Sequence, residues 1–176
     1  MDSKPTYSQN IDDINNELNS ATTQNGVKYT ATEVLGNGTF GIVFKAIVNG
    51  TNEVVAIKKV YQDRKYKNRE LQILKELNHP NSLKLFNYFY TSNPNKADEV
   101  YLNCVTDYVP EALSKVIKKY AKSHEQMEAM YIKVFSFQML KAVAYIHAIG
   151  TCHRDIKPHN ILVDTNTLEL KLCDFG

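Results

Sequence analysis

Apolar and polar positions alternate with strand-like period from Tyr29 onward, then change to a helical period. Tyr29–Leu35 is rich in Thr, Val and Tyr and reads as a strand. Gly36-Asn37-Gly38-Thr39-Phe40-Gly41 forms a glycine-rich turn, and Ile42–Val48 reads as the returning strand. Asn49-Gly50 is a strong hairpin signal, so Glu53–Val60 is expected to be the third strand. Tyr66–Leu77 has helical spacing, and Asn78-His79-Pro80-Asn81 should end that helix, because Pro cannot donate the next backbone bond. Leu83, Leu85, Asn87 and Phe89 alternate as in a half-buried strand, with polar Asn87 the exception. Thr91–Asp98 is read as a polar loop, and Val100, Leu102 and Cys104 mark one face of a fifth strand.

Beyond the connector Asp107–Glu111 the pattern is mainly helical. Glu111–Ala121 is expected to be a short helix and Met127–Ile149 a long one, stopped at Gly150. On the long helix Val134, Phe135, Gln138, Met139, Ala142, Val143 and Ile146 supply an apolar stripe. Ile161–Val163 and Leu170–Leu172 bracket a turn at Asp164–Asn166. The pattern divides into a polar tail (1–27), a β-rich segment (28–109) and a mainly helical one (110–176). The tail is expected to be mostly disordered. Ile11, Ile14 and Leu18 allow a short amphipathic helix, but three apolar residues alone do not offset the entropy of ordering it.

Composition narrows the function classes. The chain has 176 residues, 43% hydrophobic and 23% charged, ordinary for a globular protein. A net charge of +2 argues against a dedicated nucleic-acid binder. Cys104, Cys152 and Cys173 are odd in number and widely spaced, which implies neither a zinc site nor a disulfide framework and fits a reducing compartment, cytoplasmic or also nuclear. The N-terminus lacks the regions of a signal peptide, and no apolar run reaches the ~20 residues of a bilayer span. The expectation is therefore no nucleic-acid partner and no membrane association.

The glycine-rich turn alone admits several readings. A dinucleotide fold needs a helix after the glycines, but Ile42–Val48 favours a strand. A P-loop needs a lysine after its last glycine, and Ile42 stands there. A plain hairpin loop remains open, as does a hairpin whose free amides approach the phosphates of ATP, with Phe40 capping the tip. Val55-Ala56-Ile57-Lys58 follows on the third strand. Lys58 and Ala56 share a face. Glu70 shares a helix face with Ile73, Leu74 and Leu77, where a carboxylate is costly unless paired. Lys58 is the candidate partner, and the pair would direct the ammonium toward the α- and β-phosphates.

His153-Arg154-Asp155-Ile156-Lys157-Pro158-His159-Asn160 and Asp174-Phe175-Gly176 complete an ordered set. Together with the glycine loop, Val-Ala-Ile-Lys and the helix glutamate, they resemble the signature of the eukaryotic protein kinases over residues 29–176. Lys67-Asn68-Arg69-Glu70-Leu71-Gln72, Asp98–Asn103, Asp107–Glu111 and Cys152–Pro158 resemble the glycogen synthase kinase-3 family in particular. The resemblance implies an α+β, protein-kinase-like bilobal fold with a β-rich N-lobe, an incomplete helical C-lobe and ATP bound between them. Leu35, Val43, Ala56 and Leu162 would sandwich the adenine, with Gly36, Asn37, Gly38 and Gly41 over the phosphates. The backbones of Asp107 and Val109 would bond the adenine edge, and Thr106 sits at the gatekeeper position. Asn160 and Asp174 would hold Mg²⁺, a hard cation suited to oxygen ligands. Asp155 would accept the substrate proton, and Lys157 would neutralise the transferred phosphoryl group as in serine/threonine kinases.

The resemblance also implies protein substrates already carrying a phosphate, read by Arg69 and Arg154, whose planar forks suit phosphate oxygens. Thr106, His159 and Lys115 depart from the usual Leu, Gln and Arg of that family, which bears on inhibitor and substrate contacts but not on the chemistry. Kinases continue past Asp-Phe-Gly into the activation segment, and this sequence does not. The alternative is thus a truncated, non-catalytic ATP-binding or interaction fragment, with its long-helix stripe uncovered and prone to associate.

Overall fold

The computed structural model describes every residue except 1–6, 22, 24, 39, 40, 64, 66, 94 and 95, together with the side chains of 96–98. The expected start of a helix at Tyr66, the Phe40 cap and part of the 91–98 loop lie outside the described residues. The fold is α+β, and the chain groups into two compact units: Met1–Asn68 with Leu85–Tyr108, and Arg69–Lys84 with Val109–Gly176.

The first unit is a five-stranded antiparallel sheet in the order β1-β2-β3-β5-β4. The strands are β1 (Tyr29–Gly38), β2 (Gly41–Val48), β3 (Val54–Tyr61), β4 (Leu85–Asn93) and β5 (Lys96–Asp107). The Asn49-Gly50 hairpin forms as its sequence predicts, with Gly50 at φ 102°. Strands β4 and β5 run further into the 91–98 segment than a polar loop allows, because Asn93 pairs with Lys96 and Ser92 with Val100. Tyr101 through Thr106 are all buried rather than alternating, because β5 lies between β3 and β4 in the sheet. Asn87 is buried too, and its Nδ2 donates to the Tyr29 hydroxyl (3.1 Å), which satisfies the polar exception in the β4 pattern.

The polar N-terminal segment departs from the disordered reading. Helix α1 (Ile11–Ser20) starts at Asn10, whose side chain accepts from the Asp12 N–H, and Asp12 and Asp13 complement the helix dipole. Ile14 and Leu18 are buried in the sheet core with Tyr29, Ile42, Phe44, Ile57 and Val105. Burying each stabilises by about 1.5–3 kcal/mol. The remaining hold is polar. Asn15 donates to the Ala31 carbonyl (3.1 Å) and accepts from the Ala31 N–H (2.7 Å), covering backbone groups of the edge strand β1. Glu17 pairs with Lys59 of β3, and the Tyr7 hydroxyl accepts from the Tyr61 N–H at 3.0 Å. These polar partners, and not apolar count alone, order the segment.

The second unit holds helices α2 (Arg69–Glu76), α3 (Leu113–Ser123) and α4 (Ala129–Ala148), and a three-stranded sheet in the order β6-β7-β8. Its strands are β6 (Glu111–Ala112), β7 (Ile161–Asp164) and β8 (Glu169–Leu172). Glu111 and Ala112, read as the start of a helix, pair instead with Val163 and Leu162. Helix α2 begins at Arg69, so Lys67 and Asn68 precede it. The stripe on α4 appears as expected, with Phe135, Ala142 and Ile146 buried. Gln138 within that stripe accepts from Asn81 Nδ2 (2.7 Å) and the Leu170 N–H (2.9 Å) and donates to the Leu168 carbonyl (2.6 Å). Those bonds, with Leu83 N–H to the Leu172 carbonyl, tie segment 78–83 to α4 and β8. Among the described residues no helix is long and apolar enough to cross a membrane.

Candidate functional site

In the first unit, strand register sorts the candidate residues onto one face. Val43 pairs with Lys58 and Lys58 with Cys104; Lys45 pairs with Ala56 and Ala56 with Thr106. Directly paired residues project to the same side. Val43, Ala56, Lys58 and Thr106 therefore share a face, opposite the one that carries Ile57, Lys59 and α1. Leu35 sits at a register irregularity between Val34 and Gly36. Ala56 and Thr106 are buried, while Val43, Lys58 and Asp107 are half-buried. Cys104 occupies the same face, a position the sequence marked only as a core strand residue.

The glycines divide into two kinds. A Cβ at Gly41 would lie 2.3 Å from the Lys59 carbonyl oxygen and 2.9 Å from Val60 Cγ1, and its φ is +137°. The fold itself requires glycine there. A Cβ at Gly36 or Gly38 meets nothing within 4 Å, and neither has a left-handed φ. Among the described residues, packing gives no reason for those two glycines. Gly36, Asn37 and Gly38 are exposed at the end of β1.

In the second unit a polar cluster forms around Asp155. Its carboxylate accepts from Lys157 Nζ (2.6 Å) and Asn160 Nδ2 (2.9 Å), and its backbone carbonyl accepts a second bond from Asn160 Nδ2 at 2.9 Å. The Lys157 ammonium bonded to Asp155 holds that carboxyl below its ordinary range, with the Asn160 amide adding to the effect. Asp155 is therefore ionised at neutral pH, able to accept a hydrogen bond from a hydroxyl. Because the Asn160 nitrogen is committed to Asp155, its carbonyl oxygen is the atom with which it would meet a cation. The half-buried Asp174 carboxylate is a second oxygen donor, and both are of the type a hard cation such as Mg²⁺ takes.

His153 ties this loop to the chain end. It is 1% exposed. Its Nδ1 accepts from the Asp155 N–H (3.3 Å) and its Nε2 faces the Cys173 carbonyl (2.9 Å), so the ring is the neutral tautomer with hydrogen on Nε2. The Phe175 ring lies 4.9 Å away, centroid to centroid, and is itself buried. The Asn160 carbonyl accepts from the Cys173 N–H at 3.0 Å, and Arg154 donates to the Gly176 carbonyl at 3.4 Å. The two motifs, some twenty residues apart in sequence, thus meet through His153, Asn160 and Arg154. These bonds make His153 the residue that sets the Asp155 backbone.

Val109 is buried, Leu162 is half-buried on β7 beside Ala112, Glu70 is half-buried in the first turn of α2, and Arg69 and Arg154 are exposed. An apolar concavity of about 630 Å³ also opens in this unit, lined by Leu113, Ile117, Phe135, Met139, Ile156 and Ile161 among others. Helices α3 and α4 supply most of its walls, and Ile156, Lys157 and Pro158 of the Asp155 loop line it as well.

The sequence matches the family model described as Protein kinase domain over residues 29–176. The match takes in the whole sheet from β1 onward and the whole second unit, and leaves α1 outside it.

Proposed function

From the premise that the chain belongs to the protein kinase domain family, we propose that it is a serine/threonine protein kinase of the glycogen synthase kinase-3 type. It would transfer the γ-phosphoryl group of ATP to protein hydroxyls, with a preference for substrates that already carry a phosphate. The observation that carries this reading is the Lys157–Asp155–Asn160 cluster. A carboxylate kept ionised beside an ammonium can orient a serine or threonine hydroxyl while the ammonium offsets charge on the phosphoryl oxygens.

The other roles follow the resemblance residue by residue. Lys58 neutralises the α- and β-phosphates, and Glu70 is the helix carboxylate of the same machinery. Leu35, Val43, Ala56, Thr106 and Leu162 set the adenine environment, and the Asp107 and Val109 backbones bond its edge. Gly36, Asn37, Gly38 and Gly41 form the phosphate loop. When bound, Mg²⁺ supplies charge neutralisation between phosphates, held by Asn160 and Asp174. Arg69 and Arg154, both exposed, would take the phosphate of a primed substrate.

Phosphoryl transfer from Mg-ATP to two matched serine peptides, one carrying the priming phosphate, tests the reading. Lys58→Met is expected to abolish transfer to both. Arg69→Ala is expected to reduce transfer to the primed peptide alone. Near-normal turnover by Lys58→Met refutes the kinase assignment, and equal losses on both peptides for Arg69→Ala remove the priming role.

A further inference from the structure

We infer that α1, which precedes the family match, is a positioning element for the nucleotide loop, and that Glu17 acts through Lys59. This rests on the ATP reading above. Lys59 is a junction of otherwise separate contacts. The residue is buried at 6% exposure and its ammonium is paired with Glu17 of α1. Its ammonium lies 4.4 Å from the centre of the Tyr101 ring. Its carbonyl is the group against which Gly41 is packed, and Ile42 is its register partner on β2. Its sequence neighbour Lys58 projects to the opposite face.

A buried ammonium needs a counter-charge, and Tyr101 offers only a ring face. The Glu17 carboxylate on α1 supplies that charge. With it, the Lys59 side chain and hence the β3 backbone are held where Gly41 closes the base of the glycine loop and Lys58 faces the other way. Without it, Lys59 must move toward water, and the strand segment that seats both Gly41 and Lys58 moves with it. Asn15, through its two bonds to Ala31, keeps α1 in register for this contact.

The test uses the whole chain with E17Q, K59M and the double variant. Amide exchange at Gly41–Val43 and Mg-ATP affinity are measured well below the melting temperature. E17Q is expected to speed exchange at those amides and to weaken Mg-ATP binding by about fivefold or more, the usual range for coupled sites. K59M removes the ammonium that needs neutralising, so E17Q/K59M is expected to match K59M in both readouts. Lower melting of E17Q with unchanged exchange and affinity would overturn the inference, because α1 would then be structural only. Should E17Q fail to fold, a loss of affinity from K59M to E17Q/K59M would overturn it equally. A wild-type chain that does not bind Mg-ATP refutes the proposed function, while the amide exchange still decides the role of α1.

Discussion

Replacing Gly41 and Gly38 by alanine should separate what the fold needs from what a ligand needs. At Gly41 the added methyl would sit 2.3 Å from the Lys59 carbonyl oxygen, a backbone atom that cannot swing aside. The φ of +137° adds strain for any L side chain. A disallowed backbone region costs about 1–3 kcal/mol. Overpacking against a fixed neighbour costs a further ~1–3 kcal/mol. Gly41→Ala should therefore destabilise by about 4 kcal/mol and lower the melting temperature by roughly 8–16 °C, at about 2–4 °C per kcal/mol for a chain this size. At Gly38 the methyl enters open space at an ordinary φ, so the melting temperature should change by no more than a degree or two. If the loop covers phosphates, Gly38→Ala should instead weaken Mg-ATP binding. Thermal melting by circular dichroism and nucleotide titration of both variants decide the matter. Equal melting losses for the two, or a Gly41→Ala variant that melts like the parent, would refute the reasoning.

Other outcomes follow from the second unit. Lys157→Ala should raise the carboxyl pKa of Asp155, because the hydrogen bond that holds it down is lost; a carbon-13 titration of the Asp155 side chain should show its midpoint moving to higher pH, and any acid limb of phosphoryl transfer should move the same way. Gln138→Leu keeps the apolar character of the α4 stripe but strands the Leu170 N–H and the Leu168 carbonyl, so denaturant unfolding should show a loss of about 2–4 kcal/mol; a neutral result would mean that water replaces those bonds. Phe137 and Leu140 are 64% and 63% exposed on α4, and changing both to Ser should reduce concentration-dependent association in sedimentation without lowering the melting temperature.

Where local chemistry dominates, the sequence alone determined the structure. Alternation and the Asn-Gly turn located β2 and β3, because side-chain period and turn geometry are properties of neighbouring residues. The apolar stripe located the buried face of α4 for the same reason. The motif order identified the kinase domain, and alternation along β3 already placed Ala56 and Lys58 on one face. That Val43, Thr106 and Cys104 join them depended on strand register, which only pairing fixes. The roles of Gly36, Gly38 and Gly41 looked alike in sequence, and only the Lys59 carbonyl behind Gly41 tells them apart. The join between Asp155 and the Asp-Phe-Gly segment came from tertiary contacts through His153. Helix α1 came from tertiary contacts as well. Three apolar residues cannot order a polar segment in isolation, but a sheet that offers Lys59, an uncovered edge at Ala31 and an apolar face can, since each buried polar bond forms only when its distant partner is in place.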